Sequence, residues 1–228
     1  MARRSQRTDP SGPERDVPEH RYQEFLDEIF GVAETVDDVF DADWIVKAKP
    51  AVLAEPYIRT FRHSGRDLSR FSDKAVATGL DVLLFSHASS CVTDLSGPNV
   101  TVAQKGRIFD AVTALYSDCL RHRSPSVLGH LSETRNNPLE YVTYMLWDVS
   151  PLEQLRKQDD RIAVAFHEML SATLELDHDG CVESALHGLG HYGGPVRQTI
   201  IDSYLGRHPN ARPELRAYAE RAKTGMIL

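Results

Sequence analysis

Large apolar side chains recur along this chain at intervals of three and four residues. Tyr22, Phe25, Leu26, Ile29 and Phe30 form the first such set, followed by Val76, Leu80, Leu83 and Leu84. Ile108, Phe109, Val112, Leu115, Tyr116 and Cys119 form a third, Ile162, Ala165, Phe166, Met169, Leu170 and Thr173 a fourth, and Leu215, Tyr218, Ala219 and Ala222 a fifth. At 3.6 residues per turn each set lines one face of a helix. The nearest approach to a strand, Asn99-Val100-Thr101-Val102, is short and leads into a helix. The pattern therefore predicts an all-α protein of about nine or ten helices.

Helix starts are also written locally. Asn137-Pro138-Leu139-Glu140 and Ser150-Pro151-Leu152-Glu153 each place a capping side chain, a proline at the first helical position and a glutamate at the third. In the last third, helices are expected near 158–176, 180–192, 195–206 and 213–225, and their short links predict antiparallel neighbours. Residues 1–18 are rich in Arg, Ser, Pro, Asp and Gly and carry too few large apolar groups to offset the entropy of ordering, so a disordered tail is expected before a single helical domain over 19–228.

Ala185-Leu186-His187-Gly188-Leu189-Gly190, followed by Pro195-Val196-Arg197 opening the next helix, resembles a HEAT-type helical repeat. That resemblance covers the C-terminal third. It implies an irregular stack of antiparallel helix pairs, an α-solenoid-like scaffold that holds a partner.

Composition narrows the classes. Hydrophobic residues make up 41% of 228, enough for a sizeable core. No run reaches the roughly 20 apolar residues that span a bilayer, and the first residues lack the apolar centre of a secretory signal, so a cytoplasmic protein without membrane contact is expected. Cys91, Cys119 and Cys181 are widely spaced and odd in number, which fits reduced thiols. The net charge of −7 is concentrated over 19–55, where ten acidic side chains face only Arg21, Lys47 and Lys49. This balance argues against nucleic acid, and it fits either solvated helix faces or a surface for a basic protein.

Chemistry concentrates in CVESALHGLGHYGG, residues 181–194. Its G-x-G-x-x-G string follows no strand and closes a helix instead of opening one, so the glycines read as close packing and a stop, with Gly193 or Gly194 as the left-handed cap. On a helical wheel Val182, Ala185, Leu186 and Leu189 share one side, while Glu183, His187 and His191 fall roughly opposite. Histidines at i and i+4 can chelate one Zn²⁺, with Glu183 as a further ligand or general base and Cys181 or His178 completing the set. Other catalytic signals are incomplete. His167-Glu168 begins a zinc-protease motif but Ser171 stands where its second histidine belongs, and neither G-x-S-x-G nor a P-loop occurs. Cys181 with His178 and Cys91 with His87 pair only on paper. Tyr141 to Asp148 is the densest aromatic stretch, with Tyr144 and Trp147 suited to a core or a binding surface. These observations lead to a non-catalytic helical module that binds another protein through Glu183, His187, His191, Tyr144 and Trp147. The alternative is a metal-dependent hydrolase or metal-binding protein using Glu183, His187 and His191.

Overall fold

The computed structural model describes residues 17–41, 50–85, 87 and 89–227. The tail expected over 1–18 thus falls almost wholly outside the described residues. Nine α-helices of eight or more residues occur among them, and no strand. They are α1 (Glu19–Leu26), α2 (Pro50–Arg62), α3 (Asp73–Leu84), α4 (Val102–Ala114), α5 (Leu139–Val149), α6 (Asp160–Thr173), α7 (Asp179–Tyr192), α8 (Arg197–Arg207) and α9 (Pro213–Thr224). A π-turn over Asp27–Gly31 prolongs α1, and another over Leu115–Leu120 prolongs α4.

Local chemistry accounts for several boundaries. The stretch weighed as a strand is a helix cap: the Thr101 hydroxyl accepts the Gln104 amide at 3.2 Å, and the Gln104 side chain accepts the Thr101 amide at 3.0 Å. Before α5 the Asn137 side chain accepts the Leu139 amide at 2.8 Å, while the Glu140 carboxylate takes the Arg135 amide at 2.6 Å. The similar string at Ser150 ends differently. Its hydroxyl accepts the Leu152 amide at 3.3 Å, but the segment Pro151–Lys157 is a 3₁₀ helix. Glu153 does not reach back to the cap; it is buried and faces Arg156 at 3.5 Å. Of the two glycines weighed as the cap after α7, Gly193 keeps right-handed φ and Gly194 takes φ of +55°.

α7 occupies the middle of the C-terminal half, packed on α5, α6 and α9, while α4 packs on α2 and α6. From Gly180 to Gly190 every residue of α7 is buried, on both sides of the helical wheel. Glycines make that possible. A Cβ at Gly188 would lie 3.0 Å from the Trp147 indole and 3.1 Å from Leu170, and at Gly190 it would run into Ile227, which covers the last turn. Arg197 also donates to the Gly190 carbonyl at 2.6 Å. Most of this packing joins elements distant in sequence; it does not by itself show the irregular stack of antiparallel pairs that the HEAT-type resemblance implies. No helix among the described residues is long and apolar enough to cross a membrane.

Two glycine substitutions separate packing from propensity. Gly188→Val drives a branched side chain into Trp147, which is fully buried, and is expected to cost about 1–3 kcal/mol or more. Gly106→Ala, inside α4 with nothing within 4 Å of the new methyl, is expected to add about 0.5–1 kcal/mol. Urea unfolding midpoints of the two variants should move in opposite directions.

Candidate metal centre

α5 buries Leu139, Val142, Thr143, Leu146 and Trp147. Trp147 lies edge-on to Phe166 of α6, with ring centroids 5.4 Å apart, and sits in the notch left by Gly188. The next residue, Asp148, is thereby set against the residue before that glycine, His187.

The Asp148 carboxylate bridges two imidazoles. Its Oδ1 lies 2.8 Å from His187 Nε2 and 3.2 Å from His191 Nε2. The two rings are 4.6 Å apart at 63°, and one ligand atom from each of the three residues falls within 4.8 Å of the others. His187 is fully buried, whereas the side chains of Asp148 and His191 are 29% and 33% exposed. The cluster therefore has a closed floor and an open rim.

Behind the floor lies a chain of polar contacts. His187 Nδ1 is 2.5 Å from the Tyr218 hydroxyl, which is also hydrogen-bonded to Tyr144. The Tyr218 ring stacks on His130 with centroids 4.5 Å apart, and His130 Nδ1 contacts the Glu183 carboxylate. Glu183 further accepts the Gly129 amide at 2.6 Å and the His130 amide at 3.0 Å. Burial, then the neighbouring Tyr144 and the charges of Glu183 and Asp148, raises the Tyr218 phenol above its ordinary range, and burial raises Tyr144 as well. Both hydroxyls keep their protons at neutral pH. Burial, followed by the His187 imidazole, lowers the His191 pKa against the opposing pull of Asp148, so its imidazole is neutral and open to a metal at pH 7.

The residues singled out in the sequence divide into separate roles. His187 and His191 share one centre. Glu183, expected beside them, turns away into the Gly129–Leu131 turn, because those amides claim its oxygens. His178 caps α7: its Nδ1 accepts the Cys181 amide at 3.1 Å, and Nε2 donates to the Ser124 carbonyl at 2.9 Å. Burial pushes the Cys181 thiol up to about 12. Neither residue belongs to the histidine cluster. Burial likewise raises Cys91, and raises Cys119 to about 11, while His87 faces Asp81 at 3.0 Å. Trp147 is core and Tyr144 partly exposed, its ring 5.5 Å from that of His187.

Asp148 and Tyr218 carry the geometry without having been singled out as ligand or support. Asp148 is 39 positions from His187 and Tyr218 is 31. Periodicity within α7 cannot point to either, since only the packing of α5 and α9 on α7 brings them in. No protein-family model, curated protein or solved structure matches the chain.

Removing the buried carboxylate tests the support. Glu183→Ala strands two amides and the His130 ring, and is expected to cost about 3–5 kcal/mol. Glu183→Gln keeps an acceptor oxygen and is expected to cost about 1–2 kcal/mol. Chemical denaturation gives both values; a loss below about 1 kcal/mol in Glu183→Ala would show that the carboxylate's hydrogen bonds do not hold the turn.

Proposed function

We propose that the protein binds one divalent transition-metal ion through Asp148, His187 and His191. The observation that carries this reading is the convergence of the three ligand atoms within 4.8 Å, on a buried floor with an exposed rim. Two imidazoles and one carboxylate suit zinc, and three protein ligands leave a fourth position for water or a bound molecule, as in reactive more than in structural zinc sites. With an ion bound, His187 coordinates through Nε2, and its Nδ1–H donates to Tyr218. That contact selects the required tautomer and fixes the plane of the ring. Tyr218 can then donate to Tyr144.

Docking of a protein partner on the same side chains has less support, because Glu183, His187 and Trp147 are fully buried and expose nothing to a partner.

Protein prepared without an affinity tag and incubated with zinc is expected to retain about one equivalent on direct metal analysis. Retention below about a tenth of an equivalent would sink the assignment. His187→Ala and Asp148→Asn should abolish retention, and Tyr218→Phe should weaken affinity roughly 10–100-fold without emptying the site. Protons compete with the metal for imidazole, so loading falls as pH drops; the lowered His191 pKa carries that loss to lower pH than an ordinary imidazole would show. A titration with a competing chromophoric chelator from about pH 5 to 8 reads both effects.

A further inference from the structure

α9 supplies Tyr218 to the centre, and three residues on, one helical turn along the same face, it carries Arg221. The Arg221 guanidinium lies over the Tyr218 ring, 5.4 Å from its centroid. Tyr144, whose ring meets His187 and whose hydroxyl meets Tyr218, feels the charges of both Asp148 and Arg221. The guanidinium and the ligand cluster thus share two aromatic neighbours.

Neighbouring cations in this part of the fold are already engaged. Arg212 pairs with Glu133 and Glu214, Arg216 donates to the His208 carbonyl at 3.0 Å, and Lys223 holds Asp202 at 2.8 Å and Glu220 at 2.6 Å. Among the described residues no oxygen accepts from the exposed Arg221 side chain. Its charge is unspent, beside a centre that a divalent ion makes net positive, because Asp148 is the only carboxylate among the three ligands.

We infer that the metal-loaded centre takes an anionic oxygen ligand of the phosphate class, with one oxygen on the ion and others on Arg221. The inference rests on the metal-binding reading above. A guanidinium offers paired donors to such a group. A tetrahedral phosphate presents oxygens on several sides and can meet an ion and a guanidinium together, whereas a planar carboxylate has only two oxygens on one edge. The rim at Asp148 and His191, facing solvent, is the entry.

The test uses the full chain loaded with Co²⁺, whose visible absorption reports the ligands on the ion, and inorganic phosphate and acetate as probes. Metal analysis precedes the addition of any anion, so a failure to load defeats the metal assignment and is distinguished from a failure to bind phosphate. Phosphate is expected to change the Co²⁺ spectrum, and Arg221→Gln to weaken that response roughly 10–100-fold with metal content unchanged. Arg221→Lys should restore part of it. A loaded protein whose spectrum ignores millimolar phosphate overturns the inference, and so does an Arg221→Gln variant that binds phosphate like the unaltered chain. Acetate binding as tight as phosphate overturns the phosphate class.

Discussion

The Glu183 carboxylate is withdrawn completely from water at the centre of a helical protein, and much of the surrounding arrangement follows from what that requires. A desolvated carboxylate is tolerable only where donors replace its hydration. Here the donors come from one short turn, Gly129–Leu131, which is thereby fastened to α7. The same fastening lays the His130 ring on Tyr218, and Tyr218 holds His187. The Glu183 side chain thus governs the orientation of the His187 ring through two intermediaries.

Close approach of the helices is the second condition. The small residues of α7 admit neighbours on every side, so that an indole from α5 and an isoleucine beyond α9 occupy space a side chain would fill elsewhere. One helix accordingly combines a tightly packed apolar face with a polar face that is also buried. The polar face is satisfied by other parts of the chain: Ser184 bonds Tyr116 at 2.7 Å, Glu183 bonds the 129–130 amides, and His187 meets Asp148 and Tyr218.

Much of the secondary structure could be read from spacing and caps, because those signals are local. Asn137 and Glu140 work at the start of α5 as their positions suggest, and the glycines of 188–194 serve packing and termination. Ser150-Pro151-Leu152-Glu153 carried the same letters and produced a 3₁₀ segment, since burial of Glu153 against Arg156 is a tertiary event that no cap motif encodes. The site was half legible for the same reason. His187 and His191 share a helix face by periodicity alone, and a wheel finds them. Whether that face meets water, a carboxylate or a phenol depends on helices 31 and 39 positions away. Glu183 joined the pair by angle on the wheel, yet its oxygens were claimed by amides of a distant loop.

The covering of the last turn of α7 by Ile227, together with the Arg197 side chain on the Gly190 carbonyl, bears on His191. Helix ends ordinarily fray, because their final carbonyls lack partners within the helix. In α7 that end is clamped from two directions, so the backbone that carries His191 is held in place. For the metal binding proposed above, such a clamp means that little affinity goes to rigidifying the helix end.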